Sequence, residues 1–225
     1  MTQNRSISPK FLLFVLAVAV AAGALSTTLK VWLLPHARAR QVPEQLQGIL
    51  LDKTKPVPAF RLTAHDGTTV TRESLAGRWH FLFFGYTHCP DICPTAMGDM
   101  AAVFTNLEAH PGLLDTTRML FVSVDPDRDT PESLKQFVPY FRADFLGLTG
   151  HIGEIENLTR ALGAGFRKIP DKEGEGYQVG HTTSVFLLDP EVRLTALFHP
   201  PAHDTQLIAE RFVAIRDLYA KEKQP

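Results

Sequence analysis

Residues 79–85, Trp-His-Phe-Leu-Phe-Phe-Gly, make an almost unbroken apolar run. A strand exposed on one face would alternate polar and apolar positions, so a run like this requires a strand buried on both faces. Apolar residues then recur at helical spacing over residues 95–107, at Met97, Met100, Ala101, Phe104 and Leu107. A second buried strand follows at residues 119–124. Thr130-Pro131-Glu132 then opens a helix reaching about Phe141, with Thr as cap and Pro at the first helical position. This β-α-β-α order confines the chain to an α/β fold, a central sheet with helices on both faces.

The flanks fit the same plan. Asp66-Gly67 between residues 59–62 and 68–70 is a hairpin signal, since Gly accepts the positive φ such turns need. Residues 152–162 form a helix ending at Gly163, residues 184–188 and 194–198 a late strand pair, and residues 204–219 a closing amphipathic helix.

The chain has two cysteines, Cys89 and Cys93, both at the junction between the first buried strand and the helix after it. A chain of 225 residues builds a core without a disulfide, so two thiols within one turn point to chemistry on sulfur. A helix N-terminus favours the thiolate, the form that reacts and binds metal. In a turn or helix the two Cα atoms would stand roughly 5–6 Å apart, a spacing a disulfide accepts.

Two thiolates leave a metal site incomplete, and the sequence holds no third sulfur. Among nine histidines, His36, His65, His110, His199 and His203 fall in the tether, the hairpin or loops, where solvation explains them. His88 adjoins Cys89, but neighbouring residues tend to point apart. His181, in Gly180-His181-Thr182-Thr183-Ser184 at the mouth of a strand, can face the junction of another strand and is the stronger candidate. Two thiolates and an imidazole suit Cu(I); zinc accepts the same ligands with a water, and a redox pair would need the sulfurs alone. The acidic stretch Asp125-Pro126-Asp127-Arg128-Asp129 is no calcium loop, because its sixth position is Thr130 and its twelfth Gln136, where Gly and Glu are needed. It reads as a capped loop before the Pro131 helix.

A net charge of −1 gives no basic surface, which excludes a nucleic-acid partner. The amino terminus is of different material. Residues 11–29 carry no charge and span about 28 Å as a helix, close to the roughly 30 Å of bilayer hydrocarbon. The reading is an uncleaved anchor at residues 1–34, with a cleaved signal peptide as rival because Ala22-Gly23-Ala24 offers a cleavage pattern. Residues 35–52, with Pro35 and Pro43, read as a tether with room for one short helix, and the folded domain is expected over residues 53–225.

With these residues in view the chain resembles the SCO/SenC family of copper proteins, which assemble cytochrome oxidase. The likeness covers residues 57–219. It rests on Phe84-Gly85-Tyr86-Thr87-His88-Cys89-Pro90-Asp91-Ile92-Cys93-Pro94, on Ser123-Val124-Asp125-Pro126 with Asp129-Thr130-Pro131, on the His181 loop leading into Phe186-Leu187-Leu188-Asp189-Pro190, and on the single anchor. The resemblance implies a thioredoxin-like fold and copper held by Cys89, Cys93 and His181. It further implies delivery to the dinuclear copper centre of cytochrome c oxidase subunit II, with reduction of that subunit's cysteines as a second role. A metallochaperone rather than an enzyme is the expectation, with Cys89 and Cys93 as a redox-active pair, served by a thiol reductant and a copper donor. Its place would be the inner membrane, single-pass, with the soluble domain in the periplasm. Two positions depart from the family pattern: Gly180, where an acidic residue commonly precedes the histidine, and Glu191-Val192-Arg193, where a glycine turn is usual.

Overall fold

The structure, a computed structural model, describes residue 14 and residues 42–171, 176–199 and 204–223. In chain order it contains β1 (Leu50–Pro56), β2 (Arg61–Ala64), β3 (Thr69–Thr71), β4 (Trp79–Gly85), α1 (Ile92–Leu107), β5 (Thr117–Ser123), α2 (Pro131–Phe141) and β6 (Leu146–Thr149). There follow α3 (Ile152–Leu162), β7 (Phe166–Pro170), β8 (Tyr177–His181), β9 (Val185–Leu188), β10 (Arg193–Phe198) and α4 (Thr205–Glu222). Eight strands form a mixed sheet in the order β1-β10-β9-β4-β5-β6-β2-β3, and β7 pairs with β8 in a separate hairpin.

Every residue of β4 is buried, the state its apolar run demands. It pairs in parallel with β5 from Trp79 opposite Thr117 to Gly85 opposite Ser123, and antiparallel with β9 on its other edge. Side chains alternate across the sheet. Phe81 meets Phe212 of α4 at 4.9 Å and Phe104 of α1 at 5.9 Å between ring centroids, which puts both helices on one face. Phe84, of the opposite parity, packs on Phe186 of β9. Each such ring kept from water contributes about 1.5–3 kcal/mol. On β6, a Cβ at Gly147 would lie 2.9 Å from Val138 and 3.1 Å from Leu134, so the glycine lets α2 press on the strand backbone. Parallel β4-α1-β5 joined through β9 and β10 to the closing helix is the thioredoxin-like arrangement.

Several boundaries differ from the sequence reading, each for a physical reason. Helix α1 begins at Ile92 rather than residue 95, because Pro94 in a first turn sacrifices no needed hydrogen bond. Cys93 thereby enters the helix. Strand β1 begins at Leu50, inside the stretch read as tether; it is an edge strand whose Asp52, Lys53 and Lys55 lie outward and whose pattern lacks apolar alternation. Upstream of it the short helix allowed for in the tether is there as a single turn, Glu44–Leu46, which buries Leu46 completely. Among the described residues no helix is long and apolar enough to cross a membrane. The span expected at residues 11–29 lies, Phe14 apart, outside them.

Candidate metal centre

Strand β4 delivers its last residue, Gly85, to the floor of the site. A Cβ there would stand 2.7 Å from the Phe121 ring and 3.0 Å from Cys93 Sγ, so only glycine lets the sulfur sit against the strand. Chain direction then reverses, with the Cys89 N–H donating to the Tyr86 carbonyl. The first turn of α1 has free N–H groups and no side-chain oxygen cap at Asp91. Cys89 Sγ takes that place, accepting the Cys93 N–H at 3.3 Å. Cys93 is fully buried and Cys89 is 9% exposed, and both are free thiols.

His181 comes from the end of β8, a hairpin that also ties back through the Thr182 N–H to the Gly165 carbonyl. Its Nδ1 lies 3.0 Å from the Thr182 carbonyl, which can only accept, so Nδ1 carries the proton and Nε2 presents a lone pair. That Nε2 is 3.4 Å from Cys93 Sγ. Phe83 and Tyr86 meet the imidazole edge-on, with centroids at 5.8 and 5.9 Å. The structure brings together Cys89, Cys93 and His181, whose donor atoms all lie within 4.8 Å of one another, a group that could hold a metal ion. Soft thiolates with one imidazole make a donor set that fits copper or zinc. A shallow pocket of about 290 Å³ opens beside Cys89 and His181, walled by Tyr86, Pro90, Ile169 and Gly180.

The two sulfurs are unlike. Cys89 accepts from the Cys93 thiol and from the backbone N–H groups of Cys93 and Asp91, with His181 nearby, and its pKa falls to about 5 against the cost of burial. The same thiol contact and its own burial push Cys93 up. One sulfur is poised as the thiolate while the other keeps its proton.

His88 is not part of the cluster. Its Nδ1 lies 3.0 Å from Thr87 Oγ1 and 3.7 Å from Asp129 Oδ1, and its side chain is half exposed. The acidic stretch does more than cap α2. Thr130 Oγ1 does accept the Ser133 N–H at 3.3 Å. Asp129, however, turns inward to accept from the Thr87 hydroxyl and N–H and from the Ser123 hydroxyl, fixing the loop that carries Cys89. No pattern in the sequence announces that role, because Thr87, which ties it to the cysteine loop, lies 42 residues upstream. At Gly180 a Cβ would lie 3.0 Å from Ile169 Cδ1, so an isoleucine end fills the space where a side chain at that position would begin.

The SCO1/SenC family model matches residues 50–215. A putative copper-binding protein of Stutzerimonas stutzeri is 36% identical over 158 residues, which cover 70% of this chain and 76% of that protein. The mitochondrial SCO1 homolog of Homo sapiens is 37% identical over 132 residues, 59% of this chain and only 44% of that one, so the chain spans less than half of the human relative. Among solved structures, Arabidopsis thaliana ScoI with copper bound superposes with a TM-score of 0.66 at 32% identity, over 71% of this chain and 98% of that one.

Proposed function

From the premise that the chain belongs to the SCO1/SenC family, we propose that it is a copper metallochaperone that binds Cu(I) through Cys89, Cys93 and His181. The observation that carries this reading is the convergence of two sulfurs and one imidazole within 4.8 Å beside an open pocket. Copper is cargo here. Two soft thiolates and an imidazole hold Cu(I) while leaving a coordination position through which a partner's ligand can enter, which a transfer protein requires. The family likeness extends the proposal to its surroundings: residues 1–34 anchor the chain in the inner membrane, residues 35 onward tether it, and the folded unit works in the periplasm. There it hands copper to the dinuclear site of cytochrome c oxidase subunit II.

The test is an anaerobic Cu(I) titration of the reduced protein against a competing chelator, beside His181→Ala. One tightly held Cu(I), lost in the variant, is the expected result. Undiminished affinity in His181→Ala would sink the three-ligand site.

A second reading is supported by the acidic Cys89 beside a protonated Cys93. Such a pair can reduce a partner's disulfide. Cys89 thiolate attacks one partner sulfur and releases the other as thiolate, which takes up the Cys93 proton; the Cys93 thiolate so formed then attacks Cys89 Sγ, releasing the second partner sulfur as thiolate and closing a Cys89–Cys93 disulfide. The chain loses two electrons and the partner gains them, so an external thiol reductant must restore the dithiol. Disulfide turnover that needs both cysteines and is indifferent to His181→Ala would favour this reading.

A further inference from the structure

The guanidinium of Arg128 sits where the two arms of the site meet. Its Nε donates to Asp125 Oδ2 at 2.5 Å and its Nη1 to the Tyr177 carbonyl at 3.1 Å. It lies 3.9 Å from the Tyr177 ring centroid and 5.7 Å from that of Tyr86. Tyr177 closes the circuit by donating its hydroxyl to Asp125 Oδ1 at 2.7 Å. Tyr86 donates its hydroxyl to Gln178 at 2.9 Å and packs its ring at right angles to that of His181. Asp125 is fully buried, and its N–H donates to Ser123 Oγ, the hydroxyl that donates on to Asp129. Residues 123–129 thus hold the cysteine loop through Thr87 and the histidine hairpin through Tyr177.

We propose that Arg128 is a positioning residue for the metal site: by clamping the start of β8 and the Tyr86 ring to the Asp125 loop, it sets where His181 stands relative to Cys89 and Cys93. The inference rests on the copper reading for its consequence and on the contacts above for its cause. Among the described residues β8 pairs only with β7, outside the main sheet, so the hairpin needs an outside anchor to hold its last residue in register with sulfurs on another element. Arg128 suits that task where lysine would not. A planar fork can hydrogen-bond a carboxylate and a carbonyl while stacking on a ring, whereas an ammonium is a point charge. Outer partners of this kind tune metal affinity without touching the ion.

Two readouts on the full-length protein test the proposal. The first needs no metal. The ring resonances of His181, which lie beside the Phe83 and Tyr86 rings, should shift in Arg128→Met, while those of His80, at the far end of β4, stay in place. An unmoved His181, or equal movement of both histidines, would overturn positioning. The second is Cu(I) competition across the parent, Arg128→Met, His181→Ala and the double variant. Arg128→Met should weaken binding by about tenfold or more, and cost nothing further once His181 is gone. An equal loss in both backgrounds would show a general structural defect and overturn the inference. If parent and His181→Ala bind copper alike, it is the copper reading that fails, and the histidine resonances still decide the role of Arg128. Should Arg128→Met not fold, Arg128→Lys, which keeps the charge and loses the fork, is judged by the same two readouts.

Discussion

Thr87 donates its hydroxyl to Asp129 Oδ1 at 2.6 Å and its backbone N–H to Asp129 Oδ2 at 3.0 Å, two residues before Cys89. Asp129 is wholly buried and also accepts from Ser123. Replacing it with Asn turns one accepting oxygen into a donating amide facing groups that themselves donate. Asp129→Asn should therefore cost about 1–3 kcal/mol of stability in urea unfolding, and the Cys89 loop should lose amide-exchange protection while β5 keeps its own. Unchanged stability would mean that the Thr87 contacts carry no net weight.

How far this site was legible in the sequence depends on the range of each interaction. β4, the helix after it and the cysteines at their junction announce themselves through local period and an isolated pair of thiols. His181 was legible as a loop histidine before a buried strand, with no sign of which sulfur it would approach. The β7–β8 hairpin is faint in the sequence, because only Val179 of its residues is buried and, among the described residues, its strands pair with each other alone. Its one signal is the alternation through Tyr177, Gln178 and Val179. The local pattern of the Asp125–Asp129 stretch shows only a cap, which Thr130 supplies; Asp125, Arg128 and Asp129 act through Tyr177 and Thr87, contacts that no local pattern encodes.

The unequal sulfurs predict the order of chemical modification. Cys89 has the lowered pKa and the slight exposure, while Cys93 is raised and fully enclosed. In metal-free protein at neutral pH, iodoacetamide should label Cys89 first. Its rate should hold roughly level from pH 8 down to 6 and fall as pH drops through about 5, where the thiolate takes up its proton. Cys93→Ala removes the first of the donors to Cys89 and should move that midpoint upward. Peptide mapping by mass spectrometry gives the order, and preferential labelling of Cys93 would contradict it.

Val192 holds φ +56, a left-handed conformation that a β-branched residue adopts at a cost of about 1–3 kcal/mol. Its side chain is 1% exposed, and its carbonyl accepts the Val57 N–H. The neighbouring Glu191 accepts from the Tyr219 hydroxyl at 2.6 Å and pairs with Lys223, so this turn fastens the end of α4. In Val192→Gly, relief of strain opposes loss of a buried side chain worth about 1.5–3 kcal/mol and the extra flexibility of the unfolded chain. The net expectation is a protein less stable by about 1–2 kcal/mol, measured as a lower urea midpoint; a clear gain would show that strain outweighs packing here.

His80 makes folding acid-sensitive. Nε2 lies 2.8 Å from the Leu75 carbonyl and so carries the proton, while Nδ1 is buried with no partner. Protonating Nδ1 would enclose a charge and an unmatched N–H, and burial lowers the pKa from 6.5 to about 4. Between those values the unfolded chain binds a proton that the folded chain refuses. Stability from this group is complete above about pH 6.5, falls as pH drops toward 4, and is flat below it. The gap corresponds to up to about 3–4 kcal/mol at roughly 1.4 kcal/mol per tenfold change in proton affinity. His80→Gln can still donate to Leu75 but does not titrate. Urea unfolding from pH 7.5 to 4 should show the parent losing stability more steeply than the variant, the difference between the two curves isolating His80 from the carboxylates. Parallel curves would mean that water or a shifted side chain reaches Nδ1 and that the imidazole is not sealed.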